Sequence, residues 1–318
     1  MNFPNYFSGK KILVTGASGF IGSHLCDALC EKEVEVHAIY RSQKNEKLNS
    51  VHWWKVDLQD PSSTQTVLNT IKPDIIYHLA SHVTGSRSME HVLPTLSNNL
   101  ISTVNLLKVA TEIGCSRIIL AGSLEEPEAD DITVLPSSPY AAAKWASSVY
   151  AQMFHDLYKT PVVVAKIFMV YVPRQNPRFL IPYVVASLLK GISPQLTSGK
   201  RLVDWIYVDD VVSGLLAMAY VSDIEGQTID LGSGTFVTIR EIVQRLVDIV
   251  NPQIAPSFGA ITDRSSEQVR SANSITSFAK LNWKPKVSLN QGLKLTTDWY
   301  RENLEIALKD QSTISPSA

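Results

Sequence analysis

Cysteine is scarce: the chain holds three, Cys26, Cys30 and Cys115. An odd count without CxxC pairs argues against a disulfide framework and against zinc, and reads as free thiols in a reducing compartment. Cys26 and Cys30 lie one helical turn apart, where core packing is the better reading than metal binding. Long apolar runs are missing too. No stretch reaches the roughly 18 uncharged apolar residues of a spanning helix. The greasy segment 162–172 is interrupted by Lys166 and reads as a buried strand. Residues 1–10 carry no apolar signal core. An excess of either charge is absent as well, with 29 Lys and Arg against 30 Asp and Glu and a net charge of −1. No global field draws nucleic acid or an anionic membrane, so any anion site must be local. The expectation is a cytoplasmic protein with a small-molecule partner and no metal, nucleic acid or membrane.

What is present is a core-rich composition, 45% hydrophobic and 19% charged over 318 residues. Buried-strand runs at Lys11–Thr15, 34–40, 52–56, 75–79, 117–121 and 162–168 alternate with helical patterns at 21–31, 63–71, 96–113 and Pro139–Tyr158. That rhythm implies right-handed crossovers and a parallel sheet covered on both faces. The expected fold is α/β, a doubly wound Rossmann parallel sheet with a smaller interwoven C-terminal substrate lobe. After Phe168, prolines at 173, 177, 182 and 194 punctuate a loop-rich region around one helix, 181–190. A strand and helix follow at 205–220, a strand at Thr228–Leu231, and helices at Ile239–Val250 and 289–307. We read 1–168 as a dinucleotide-binding domain rejoined by 203–235, and 169–202 with 236–308 as the substrate-binding lobe. The Ser-, Thr- and Pro-rich tail 309–318 reads as disordered.

Gly16-Ala17-Ser18-Gly19-Phe20-Ile21-Gly22 follows the first strand and opens a helix. Gly16 permits a tight turn, Gly19 lets a pyrophosphate approach the backbone, and Gly22 lets helix and strand pack closely. The helix N-terminus offers free N–H groups to the phosphates. The alternative is a plain glycine turn capped by Ser18. About twenty residues on, where an acid would select the ribose of NAD, the chain reads Ile39-Tyr40-Arg41-Ser42. Arg41 suits a 2′-phosphate or adenine stacking, so NADP(H) is favoured, with NAD(H) possible. Asp57, beside Leu58 after the third strand, can meet the adenine amine or cap the next turn.

Ser138-Pro139-Tyr140 opens a helix that carries Lys144 one turn later, on the same face. A nearby ammonium and a cationic nicotinamide favour the phenolate and make tyrosine a usable acid or base. Ser123 follows a strand at the carboxyl edge of the sheet, where ligands bind. Together with His78-Leu79-Ala80, Asn99, Trp205-Ile206-Tyr207-Val208-Asp209-Asp210 and Leu231-Gly232-Ser233-Gly234, these residues make the chain resemble the extended short-chain dehydrogenase/reductase family. The resemblance runs over about 10–300 and is closest to the nucleotide-sugar epimerases, dehydratases and 4-ketoreductases.

The resemblance implies that Ser123, Tyr140 and Lys144 are catalytic. It also implies that Leu79, Ala80 and Asn99 line the cofactor cleft with Gly16, Ser18, Gly19, Phe20, Ile21, Gly22, Arg41, Asp57 and Leu58. Ser81 becomes a substrate contact, with Arg264 on the diphosphate and Glu267 on the nucleoside ribose, and Arg201 or Lys200 is placed nearby to substitute for a missing diphosphate contact. Two family contacts are replaced: the chain reads Phe168-Met169-Val170-Tyr171-Val172-Pro173 where the family has an Asn-Val-Tyr-Gly-Pro stretch, and Val203 stands in place of an arginine before Asp204. Glu125 matches a dehydratase base, yet Leu124 replaces the accompanying acid and Glu126-Pro127 the usual Tyr-Gly. The implied activity is redox chemistry at C4 of a nucleotide-sugar, epimerising or reducing. The alternatives are an NADPH-dependent carbonyl reductase of another substrate and a dehydratase or decarboxylase using Glu125. A non-catalytic NADP sensor fits least, because a sensor needs no proton relay. A homodimer is also implied, through a four-helix bundle of 96–113 and Pro139–Tyr158, with Ala141, Ala142, Trp145, Val149 and Met153 apolar on more than one face.

Overall fold

The computed structural model describes residues 5–41, 50–127, 135–263 and 269–305. From the N-terminus run β1 (Lys11–Thr15), α1 (Phe20–Cys30), β2 (Glu35–Tyr40), β3 (His52–Lys55), α2 (Pro61–Ile71) and β4 (Ile75–His78). Then come α3 (Val92–Thr95), α4 (Ser102–Ile113), β5 (Arg117–Ser123), α5 (Pro139–Tyr158) and β6 (Val162–Ile167). With β10 (Thr228–Leu231) they form a seven-stranded sheet in the order β10-β6-β5-β4-β1-β2-β3. Every pairing in it is parallel. This is the doubly wound Rossmann sheet expected from the sequence. Strand order reverses between β1 and β4, so the crevice at their carboxyl ends is the ligand-binding switch point.

Local chemistry explains the helix ends. Asp60 caps α2 by accepting from Ser62 and Ser63 N–H, with Pro61 in the first turn. Ser138 caps α5 from the Ala141 N–H at 3.1 Å, and Pro139 follows it. The helix read as 96–113 starts earlier, at Val92, and passes through a π-helical stretch at Leu96–Ile101. Pro94 is tolerated there because first-turn N–H groups need no intrahelical partner.

Among the described residues, contacts divide the chain into two compact units. One runs to Ile167 and takes back Val212–Leu231 and Ile275–Trp283; the other holds Phe168–Val211, Gly232–Ser274 and the segment from Lys284. The returning stretch is shorter than 203–235. The reason is β9 (Leu202–Tyr207), the central strand of a second sheet between β7 (Met169–Tyr171) and β11 (Phe236–Thr238). The greasy segment 162–172 is therefore two strands in two sheets rather than one. A further short pair joins β8 (Gln195–Leu196) to β12 (Ser257–Phe258). The remaining helices are α6 (Leu180–Leu189), α7 (Val208–Tyr220), α8 (Ile239–Val250), α9 (Ser274–Leu281) and α10 (Leu289–Glu302). The tail 309–318 lies outside the described residues.

In the second unit the buried Asp204 carboxylate accepts from Ser233 N–H at 2.8 Å, Ser233 Oγ at 2.5 Å, Gly234 N–H at 2.9 Å and Ala272 N–H at 2.8 Å. The Leu231-Gly232-Ser233-Gly234 motif is thus a carboxylate-binding turn. Asp210 holds Lys286 and Val287 N–H at 2.8 and 3.0 Å and fixes the approach to α10. These charged hydrogen bonds satisfy carboxylates that burial would otherwise penalise.

In the first unit one buried chain of hydrogen bonds ties three elements together. Ala80 N–H donates to Thr15 Oγ1 at 3.1 Å, and Thr15 Oγ1 lies 2.7 Å from His78 Nδ1. His78 Nε2 lies 3.0 Å from Thr103 Oγ1, which donates to Asn99 O at 2.5 Å. Only a neutral His78 with its proton on Nε2 satisfies this order of donors. Burial, then the Lys144 charge, push its pKa down to about 3. A histidine depressed below its ordinary 6.5 adds stability at neutral pH that is lost as pH falls from there toward about 3. We expect wild-type melting temperature to drop between about pH 7.5 and about pH 5, with a slope of up to about 1.4 kcal/mol per pH unit from His78. His78→Gln should melt lower at neutral pH but show a shallower dependence. Equal slopes in thermal melts would contradict the assignment.

Candidate active site

β1 delivers the phosphate loop to the switch point. Gly16 has φ +68°, and a Cβ there would sit 2.7 Å from Ala80 N and from the Leu79 carbonyl carbon. Backbone of β1 and β4 therefore meets at a spacing that only glycine allows, and Leu79 and Ala80 border the loop. Gly19 is the N-cap of α1 and no side chain caps it. Ser18 is exposed and does not take the capping role weighed for it. The N-terminus of α1 opens on this loop, and the cradle suits a dinucleotide diphosphate. At the adenosine end, Asp57 closes its own turn by accepting from Gln59 N–H at 3.1 Å. Leu58 is buried beside it. Arg41 is exposed at the end of β2 and donates to Asn98 Oδ1, which Gln59 Nε2 also reaches at 3.2 Å.

β4, β5 and α5 bring the expected catalytic residues together. The Tyr140 hydroxyl lies within reach of the side chains of Ser123 and Ser81, which act on its ionisation. Burial pushes its pKa up to about 12; the two hydroxyls oppose that rise, and the carboxylates of Glu126 and Glu125 add to it. Lys144 is 4% exposed and its Nζ donates to Ala121 O in β5. Burial pushes the Lys144 pKa down and Glu126 pulls it back up. Ser81 is fixed from behind: its Oγ donates to Asn99 Oδ1 at 3.1 Å, and that oxygen also accepts His82 N–H at 2.6 Å. Asn99 is buried and spends its side chain on this segment. Its place is behind the site, holding Ser81.

Glu125 is half-buried, with Oε2 3.4 Å from the Ser137 hydroxyl. Glu126, unassigned on sequence, is 3% exposed, and its Oε1 accepts Ser123 N–H at 2.6 Å. No periodicity marks it, because it sits in a turn. In the second unit Arg201 is half-buried ahead of β9, and Val203 pairs with Val237 inside the sheet. Arg264 and Glu267 lie outside the described residues. Among the described residues no cluster of His, Cys, Asp and Glu could hold a metal ion, and no helix is long and apolar enough to cross a membrane. Cys26 and Cys115 are buried thiols whose pKa burial pushes up to about 12.

Comparison with known proteins places this geometry. The model of the NAD dependent epimerase/dehydratase family matches residues 12–232. The dTDP-glucose 4,6-dehydratase of Haemophilus influenzae is 27% identical over 334 residues, covering 92% of this protein and 98% of that one. The crystal structure of a Thermotoga maritima UDP-glucose 4-epimerase with UDP-glucose superposes with a TM-score of 0.85 at 27% identity, over 92% of this chain and 99% of that chain. The Thermus thermophilus UDP-glucose 4-epimerase in complex with NAD gives a TM-score of 0.81 at 26% identity, over 92% and 99%. A glycine cradle at the β1 carboxyl end and a Ser, Tyr, Lys set beside it, in a chain matched by that family model, make this protein a nicotinamide-dependent enzyme of the NAD-dependent epimerase/dehydratase family, within the extended short-chain dehydrogenases/reductases.

Proposed function

We propose that the enzyme moves hydride at C4 of a nucleotide-activated sugar through a 4-keto species, with Tyr140 as acid and base. The observation that carries this reading is Tyr140 set beside Ser81 and Ser123 at the carboxyl edge of the sheet, with Lys144 buried one helical turn on and fastened to Ala121 O. A bound nicotinamide supplies or accepts the hydride. When the sugar is oxidised, the C4 hydrogen leaves with its electron pair, the hydroxyl proton passes to tyrosinate, and the C4 carbonyl forms. Ser123 holds that oxygen during both directions. Return of hydride to the opposite face inverts C4, and delivery of hydride to a substrate that arrives already as the 4-ketone gives net reduction. With its pKa pushed up to about 12, Tyr140 is protonated at neutral pH and ready to act as the acid. Oxidation needs the phenolate, so the oxidative rate should rise with pH.

The relatives named above act at C4 or at C4 and C6 by their printed names, which supports this chemistry class. Leu124, in place of an acid, speaks against simple dehydration. A second reading rests on Glu125, whose charge reaches Tyr140: as a base at C5 it would drive loss of water, and beside a 4-keto uronic acid it would face the carboxyl that leaves as carbon dioxide, either outcome visible as product mass. The nucleotide would be gripped by Arg201, Arg264 and Glu267.

The expected rank of variants follows from these roles. Tyr140→Phe should fold, bind cofactor and lose about 10²–10⁴ in hydride transfer, followed by cofactor absorbance. Lys144→Ala should lose turnover and cofactor affinity together, and Ser123→Ala should lose less than either. Wild-type turnover in folded, cofactor-bound Tyr140→Phe would end this reading.

For the cofactor, the reading is NADP(H) over NAD(H), supported by Arg41 and by the lack of an acid after β2. Arg41→Ala should weaken NADPH by roughly 30–150-fold, the worth of a charge-assisted contact, and leave NADH nearly unchanged. Equal loss for both would reject a 2′-phosphate contact.

A homodimer is part of the same proposal. Trp145 (39% exposed) and Val149 (47%) stand out on α5, and Leu93 (69%) on α3. Ala141 is fully buried, and Met153 packs against the core, so those two residues serve the interior instead. The occupant of the outer face would be a second copy. Light scattering at micromolar concentration should give twice the chain mass, and a monomer would contradict the dimer.

A further inference from the structure

The turn after β5 holds a buried carboxylate that the chemistry above does not use. Glu126 is 3% exposed. Its Oε1 accepts Ser123 N–H at 2.6 Å, while its own N–H donates to Ser123 O at 3.1 Å. Ser123 is therefore clasped on both sides of its backbone by one residue. Its Oγ is oriented in turn by Glu125 N–H at 3.2 Å. Space for the carboxylate is left by Gly122, where a Cβ would lie 3.0 Å from Glu126 Oε1 and 2.9 Å from Val164 Cγ1. An ionised carboxylate is costly to bury without a counter-charge. Burial pushes the Glu126 pKa up, and the charges of Lys144 from α5 and Lys166 from β6 oppose that rise.

We propose that Glu126 is a positioning residue of the catalytic set: it fixes the Ser123 backbone and supplies the buried counter-charge of Lys144. The proposal rests on the reading of Ser123, Tyr140 and Lys144 as catalytic. The charged and titratable groups around it pull in defined directions. Lys144 lies in a site whose burial disfavours its ammonium, and Glu126 opposes that effect. The same negative charge raises the Tyr140 pKa, as does Glu125. On β4, His78 is pushed further toward neutrality by Lys144. Glu126 thus keeps the lysine charged and the tyrosine protonated, the state needed for proton delivery. It touches neither substrate nor cofactor in this role.

The test compares the pH profiles of kcat and kcat/KM for hydride transfer in wild type, Glu126→Gln and Glu126→Asp, beside their melting curves. Glutamine keeps an oxygen for Ser123 N–H and removes the charge. In the reductive direction Lys144 and Tyr140 must both be protonated, so the alkaline limbs that they set should both move toward acid by about one pH unit. Its kcat should fall about tenfold, the scale of one charged hydrogen bond. Aspartate keeps the charge on a shorter arm and releases the Ser123 amide, so kcat should fall with the limbs in place. If Glu126→Gln does not fold, the aspartate variant decides alone: lowered kcat with unmoved limbs supports the role, and moved limbs overturn it. A folded glutamine variant whose limbs match wild type also overturns it. Where Tyr140→Phe has lost turnover, such a result sinks only the role of Glu126. Where Tyr140→Phe has kept it, the catalytic reading itself has failed.

Discussion

A buried ammonium organises the first unit. Lys144 is 4% exposed and donates to Ala121 O, so α5 is fastened to the middle of the sheet at that point. Because side chains one turn apart share a helix face, fastening Lys144 also sets Tyr140 at the end of β5. There the tyrosine meets Ser123 from the same strand and Ser81 from the end of β4. A charge taken out of water must find partners or neutralise. The lysine finds a carbonyl and the field of Glu126. The constraint that burial imposes on one cation thus fixes the geometry of a proton donor.

The same strand ends serve both halves of the proposed chemistry. Thr15 closes β1 just before the glycine loop, and its hydroxyl is bonded to His78 and to Ala80 N–H. Through Thr103 that chain reaches Asn99 O, which also accepts the Ser147 hydroxyl of α5 at 3.1 Å. The cofactor cradle, the Ser81 segment and the catalytic helix are therefore linked by satisfied buried hydrogen bonds. Such networks hold a site in register because each unpaired member would carry a desolvation penalty. This is the pre-organisation that proton and hydride transfer require, with little rearrangement left to the moment of reaction.

Legibility in the sequence followed the range of the forces involved. The parallel sheet was readable because buried strands are short, continuous apolar runs between helical patterns. α5 was placed to the residue, since a serine cap and a first-turn proline mark its start. β7 was hidden: Met169–Tyr171 is three residues long and merges with β6 in the apolar pattern, and only pairing with the distant β9 separates them. The π-helical stretch at Leu96–Ile101 follows the earlier start at Val92, which the proline at 94 masked. In the site, Ser123, Tyr140 and Lys144 could be named from spacing. Glu126 could not, because its burial depends on space beside Gly122 and on lysines from two other elements. Asn99 was read as a cleft residue, and its commitment to Ser81 and His82 appears only once β4 and the π-helical stretch are packed together.

The central claim is that hydride leaves and reaches C4 of a nucleotide-sugar. The most direct measurement gives the cofactor-loaded enzyme hexoses deuterated at C4, carried on UDP, dTDP, GDP and CDP, and locates the label by mass spectrometry and NMR. The account predicts that for one nucleotide the deuterium passes into the nicotinamide ring, or returns to C4 with inverted configuration. Label that stays at C4 with unchanged configuration on every nucleotide would contradict it.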